Sequence, residues 1–216
     1  LDDGDLAARC EEYAAEVPAG VLILTAGVDT QDDRFEVEVV GWGVGRENWG
    51  IRYQRIFGDM DTEEPYNVLD EFLDQTFTRE DGAKLKIQAT FIDSGGHHAN
   101  EVYKFCKPRL NRRIFPIKGQ PGAERAYLSA PSRGNRYKVY MFNIGVDTGK
   151  SILANRLQVP KPGPNYCHFG TQERGYDSFY FKGLTAEKQT LTYKKGKACW
   201  IWELKNPAFK RNEPLD

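Results

Sequence analysis

Residues 21–57, VLILTAGVDTQDDRFEVEVVGWGVGRENWGIRYQRIF, constrain the fold more than any other stretch of the chain. VLILTAGV (21–28) is a continuous apolar run of strand length, which predicts a buried strand. Thr30-Gln31-Asp32-Asp33 is turn material. RFEVEVVGWG (34–43) then alternates, with Phe35, Val37 and Val39 on one face. After a second turn at Gly45-Arg46-Glu47-Asn48, WGIRYQRIF (49–57) predicts a third strand. Three strands joined this closely form an antiparallel meander.

Downstream the period changes. From Pro65 to Phe77, the residues Val68, Leu69, Phe72, Leu73 and Thr76 recur at helical spacing. LKIQATFID (85–93) predicts a strand, HHANEVYKFCKPRL a helix and RIFPIKG (113–119) a strand, followed by a Gly/Arg-rich loop to about residue 136. KVYMFNIG then predicts a strand, SILANRL a helix, PKPGP a loop, and LTYKKGKACWIWEL (191–204) a β-hairpin turning at Lys195-Gly196. Upstream, DLAARCEEYAAE (5–16) has helical composition, and Pro18-Ala19-Gly20 breaks the chain. Strands alternating with helices favour parallel pairing through right-handed crossovers. The expected fold is α/β: a mixed sheet, antiparallel meander plus parallel strands, flanked by helices and carrying an added β-hairpin.

At 216 residues the chain is sized for one domain, and a 40% hydrophobic, 28% charged composition is that of a globular protein rather than a disordered one. No apolar run approaches the roughly 18 residues that span a bilayer, and the acidic start LDDGDLAARCEEY does not have the pattern of a signal peptide. Cys10, Cys106, Cys167 and Cys199 are too scattered for a zinc site or a disulfide framework, so a reducing, cytoplasmic setting is expected. The net charge of −1 conceals an asymmetry. Residues 1–108 hold 10 Lys/Arg against 23 Asp/Glu, and residues 109–216 hold 20 against 8. That division suits an acidic cluster for cations beside a basic face for a polyanion, as in a metal-dependent nucleic-acid enzyme.

Mixed sheets of this kind place ligands at the carboxyl ends of neighbouring parallel strands. The first strand ends in Asp29, and the strand 85–92 ends in Asp93, followed by Ser94-Gly95-Gly96. Two carboxylates leaving adjacent strands at one edge would repel; a divalent cation between them removes that penalty, and oxygen-only ligands suit Mg²⁺ or Mn²⁺. GVDT recurs at 145–148, where GVDTGKS mimics a phosphate-binding loop. A true P-loop has four residues between its glycines, and here there are three, with Asp147 among them. The second copy is therefore expected to hold at most one phosphate at a helix start, through Gly149, Lys150 and Ser151. Asp32 and Asp33 could assist a metal, and Lys118, just past a strand, could face a phosphate. His97 and His98 open a helix beside Asp93, and His168 is expected to pack within Tyr166–Phe169.

In order along the chain, LTAGVDTQDDRFEVEVVGWG, FIDSGG, PIKG, LTAEK and RNEPLD resemble the nuclease domain of the large terminase subunit of tailed phages, of the lambda type. The resemblance runs from about residue 18 to 216. It implies an RNase H-like fold and an endonuclease that uses two metal ions, Mg²⁺ or Mn²⁺, to cut concatemeric double-stranded viral DNA in the host cytoplasm. It places the acidic triad on Asp29, Asp93 and Asp216, as both metal ligands and catalytic residues. It implies as partners a packaging ATPase domain of the same full-length chain, the small terminase subunit, the portal or procapsid, and no membrane. Residues 1–18 are then expected to be a tether from an upstream ATPase domain, and 19–216 a nuclease domain truncated at its C-terminal helix, since the family continues past the third acid. The basic residues expected on DNA are Lys118, Lys150, Lys194, Lys195 and Lys197. Two other readings share the fold: a transposase or junction resolvase, which the acids alone do not separate, and a non-catalytic DNA-binding module. A sugar-kinase-like ATPase is disfavoured, because Gln31-Asp32-Asp33 stands where its Gly/Ser/Thr phosphate loop would be.

Overall fold

A computed structural model describes residues 2–194 and 196–206; Lys195 and Asp216 lie outside the described residues. The meander forms as expected, with β1 (Ile23–Thr30), β2 (Arg34–Trp42) and β3 (Asn48–Phe57) paired antiparallel in sequence. After helix α2 (Glu64–Leu73) and a short strand β4 (Thr76–Thr78), β5 (Lys84–Asp93) pairs parallel with β1. Helix α3 (Ala99–Cys106) leads to β6 (Ile114–Gln120), parallel to β5, and β7 (Phe142–Gly145) adds parallel to β6. With β8 (Cys167–His168) beside β3, the order across the sheet is β7-β6-β5-β1-β2-β3-β8. An antiparallel β1–β2–β3 extended on the far side of β1 by parallel strands is an RNase H-like sheet.

The two faces of this sheet bury different clusters. Phe35, Val37 and Val39 of β2, with Leu24, Ala26 and Val28 of β1 and Ile92 of β5, form the main core under α2 and α3. On the opposite face, helix α5 (Ser178–Leu184) and the segment before it pack Phe169, Tyr176, Tyr180 and Phe181 around Tyr53. Gly175 makes that approach possible: at φ +97 it sits where an added Cβ would lie 1.9 Å from the Tyr53 carbonyl oxygen.

Several local expectations change. The helix expected over 5–16 is confined to α1 (Asp3–Ala7), because the rest of the segment is recruited by tertiary contacts. Arg9 turns inward to the carbonyls of Leu157 and Cys167, at 2.8 Å each, and stacks on Tyr166; Cys10 bridges Phe169, and Val17 bridges Arg79. The helix expected to reach Phe77 stops at Leu73; Phe77 is buried instead in β4, opposite Leu85. The strand expected from Lys138 begins only at Phe142. Helix α4 (Val146–Leu157) starts directly after Gly145, so the second GVDT is helix and wraps no phosphate loop. The hairpin forms as expected from β9 (Glu187–Lys194) and β10 (Lys197–Leu204), with Gly196 at φ +76 in its turn.

Candidate active site

The carboxyl edge of β1 and β5 brings the first two acids together. The parallel register ends with Val28 opposite Ile92, so Asp29 and Asp93 are the next residues on each strand. Val28 and Ile92 are buried in the main core, and side chains alternate along a strand, so both acids project from the other face. The strand ends are knitted together: Thr30 Oγ1 donates to the Asp93 carbonyl at 2.8 Å, and Ser94 donates through both N and Oγ to the Ile117 carbonyl at 2.9 and 2.7 Å. Gly95 N donates to Asp93 Oδ1 at 3.0 Å, and Gln31 Nε2 donates to Asp29 Oδ2. Both acids are half-buried. Two residues before Asp29 on the same face, Gly27 is exposed, and a Cβ there would meet nothing within 4 Å. The surface directly beside the acids is therefore open.

The donor set suits a hard divalent cation, since Asp29 and Asp93 offer carboxylate oxygens from strands held by main-chain pairing. Among the described residues, no group of three or more His, Cys, Asp or Glu side chains converges to hold a metal. The expected third acid, Asp216, lies outside them.

Around this edge the other candidates are dispersed. Asp32 and the histidines form a loose cluster, with His97 Nδ1 3.7 Å and His98 Nε2 3.9 Å from Asp32 Oδ1, and His98 Nδ1 3.4 Å from Asp61 Oδ1. Asp33 is engaged by Arg34 at 2.7 Å. Lys118 is exposed, one residue past the β6 position paired with Asp93. Lys150 on α4 is ion-paired with Glu187 of the hairpin at 2.6 Å, and Lys197 is exposed at the start of β10. Lys194 ends β9. His168 does more than pack locally: Nδ1 faces Glu11 Oε1, Nε2 faces Glu47 Oε1 at 2.9 Å, and its ring stacks on Trp49.

Sequence reasoning missed Glu36 and Glu38. Glu36 stands opposite Asp29 in the β1–β2 ladder, on the acids' face, where Arg34 Nε at 2.8 Å and Tyr53 Oη at 2.7 Å donate to it. Glu38 accepts from Tyr176 and Tyr180 at 3.1 and 2.9 Å, and burial pushes its carboxyl up to about 6, against the opposing pull of those two hydrogen bonds. The signal was the polar half of the alternation Phe35-Glu36-Val37-Glu38-Val39, but nothing local says that a second layer covers it.

The sheet order is that of an RNase H-like domain, and Asp29 and Asp93 stand at the ends of its adjacent parallel strands. Over residues 1–216 the chain matches the family described as terminase large subunit gpA, endonuclease domain, and it belongs to that family. It is 37% identical over 215 residues to the terminase large subunit of Escherichia phage lambda, covering 98% of this chain and 33% of that protein. It is 32% identical over 221 residues to the corresponding subunit of Enterobacteria phage P21, covering 100% of this chain and 34% of that protein. The chain thus spans about a third of the length of these curated relatives. Among solved structures, a mutant nuclease domain of the large terminase subunit gp2 of bacterial virus Sf6, with manganese, shares 13% identity at a TM-score of 0.47, over 84% of this chain and 78% of that one. That likeness is distant, and the family assignment rests on the sequence matches.

Proposed function

We propose that this domain hydrolyses phosphodiester bonds of double-stranded DNA in a reaction that depends on Mg²⁺ or Mn²⁺, two ions being held at the acid edge. The observation that carries this reading is the placement of Asp29 and Asp93 on one face, at the carboxyl ends of adjacent parallel strands. Bound there, divalent ions would activate the attacking water and stabilise the departing 3′ oxygen. Asp29 and Asp93 would hold and orient that charge; the hydrogen bonds from Gln31 and the Gly95 amide fix how each carboxylate turns. Asp216 is proposed as the third acid, and Lys118, Lys194, Lys195 and Lys197 as contacts to the DNA backbone; Lys150, paired with Glu187, would reach a phosphate only by giving up that ion pair. In the full-length protein the substrate would be concatemeric viral DNA in the host cytoplasm, with a packaging ATPase domain, the small terminase subunit and the portal as partners. Membership of the terminase family and the one-third coverage of its relatives support that setting.

The test is nicking of supercoiled plasmid with Mg²⁺, with Mn²⁺ and with EDTA. Nicking is expected with metal alone, and Asp29→Asn is expected to abolish it while leaving the circular dichroism spectrum and DNA binding unchanged. An Asp29→Asn protein that cuts near the wild-type rate would remove Asp29 from the ligand set. Absence of nicking by the wild type under every condition would favour a non-catalytic binding module.

A further inference from the structure

Outside the acid edge, one segment gathers cations that the fold does not neutralise. Residues 125–146 contain Arg125, Arg133, Arg136 and Lys138 and no Asp or Glu. Elsewhere the fold consumes many of its cations. Arg34, Arg55, Arg79, Arg109, Arg112 and Lys150 are ion-paired, and Arg9 and Arg174 bind main-chain carbonyls. Among the described residues, none of the four in 125–146 pairs with a carboxylate, and all four are exposed. Arg125 donates to the Pro121 carbonyl and to Gln120 Oε1, at 2.8 Å each, so Arg133, Arg136 and Lys138 are the cations the fold leaves for a partner.

The path of the segment relates these cations to the site. It leaves β6 at Gln120, the end of that strand on the acids' side of the sheet. It passes over Gly145, where an added Cβ would meet the Arg125 and Ala126 carbonyl oxygens at 2.9 and 2.7 Å. It then runs back antiparallel to β7, with bridges Leu128↔Ile144 and Ser132↔Met141. Arg125 is thereby placed near the acid edge, and Arg133, Arg136 and Lys138 follow at the far end of β7. The eight residue steps from Arg125 to Arg133 span up to roughly 26 Å at strand rise, most of one duplex turn of about 34 Å.

The far cluster is held in place before any partner arrives. Val139 is fully buried, and Asn135 clasps its backbone in both directions, Nδ2 to the Val139 carbonyl at 2.6 Å and Oδ1 from the Val139 amide at 3.0 Å. The Arg133 guanidinium lies 3.9 Å from the centre of the exposed Tyr140 ring. Stacking occupies a guanidinium's flat face and leaves its N–H edge free for a phosphate oxygen. A preset cation also loses less side-chain freedom on binding.

We infer that the edge segment Arg125–Tyr140 is the surface that carries the DNA backbone to the acid edge, with Arg133, Arg136 and Lys138 on phosphates. This inference rests on the proposed nuclease reading and adds to it a particular track, distinct from the hairpin lysines. The experiment is equilibrium binding in EDTA of two unrelated duplexes, across a series of salt concentrations, to wild type and to the triple variant Arg133→Ala/Arg136→Ala/Lys138→Ala. Each lost phosphate contact removes about 0.9 from the slope of log affinity against log salt, so the triple variant is expected to flatten it by about 2 to 3, equally for both duplexes. Arg133→Lys/Arg136→Lys is expected to keep most of the slope. A second measurement needs no mutation: saturating duplex should slow acetylation of Lys138 in the wild-type protein. An unchanged slope in a folded triple variant, or Lys138 acetylated equally with and without duplex, overturns the inference. Stronger protection of Lys138 by polyglutamate than by duplex overturns it too, in favour of an acidic protein partner. A wild type that binds through these residues but never nicks with any divalent metal overturns the nuclease reading alone.

Discussion

Glu38 shows how one carboxyl can set a pH dependence. Its folded pKa is raised to about 6, so the proton is held more tightly in the folded chain than in the unfolded one. The associated stability is complete below the unfolded value, near 4.3 for a glutamate, and is lost as pH rises through about 6. For a half-buried group the loss is on the order of 1–2 kcal/mol. Glu38→Gln keeps the shape and removes the titration. Urea unfolding midpoints of wild type and variant are expected to diverge between about pH 4.5 and 6.5, the wild type losing ground as pH rises. A difference that does not change over that window would show that Glu38 ionises normally. The same residue marks a limit of legibility. The placement of Asp29 and Asp93 at one sheet edge was legible because a strand end is a local feature, whereas Glu36 and Glu38 look like the wet side of an alternating strand until the second layer is in place.

Among the elements, the segment before the meander departs furthest from its composition. Alanine and glutamate over 5–16 favour helix locally, yet the chain gives up helix after Ala7 for sheet bridges, the Arg9 staple and the His168 contact with Glu11. Arg174 closes the arrangement from the other side, donating to the carbonyls of Ala15 and Glu16 at 2.8 and 2.7 Å. Leu6 is fully buried in the second cluster. Leu6→Ala is accordingly expected to destabilise the whole domain by about 2–5 kcal/mol, read as a lowered thermal midpoint in a single transition. A separate low-temperature transition confined to the N-terminal segment would show that it folds independently of the sheet. The meander and hairpin were legible because their periods and turns are local. The second cluster was not, because the residues that build it, 166–181, carry no regular period and acquire meaning only against β2 and β3.

For the molecule as a whole, the charge asymmetry of the sequence is distributed by the fold into an acid edge, internal ion pairs and an exposed cationic rim. The two acids belong to strands brought side by side only when the chain has wrapped the meander, α2 and β4 between them. Parallel neighbours require such a crossover, and contacts distant in sequence form late, because the entropy of closing the intervening loop is spent first. Refolding is therefore expected to order two events: helices and the local hairpins first, the β1–β5 seam afterwards. Recovery of metal-dependent nicking after dilution from urea is expected to track amide-exchange protection of β5, and to lag the far-ultraviolet signal of the helices. Nicking that returned before β5 became protected would contradict this order. A nascent or partly unfolded chain then has no assembled acid pair, so under the proposed nuclease reading the long-range seam would hold cleavage off until the fold is complete.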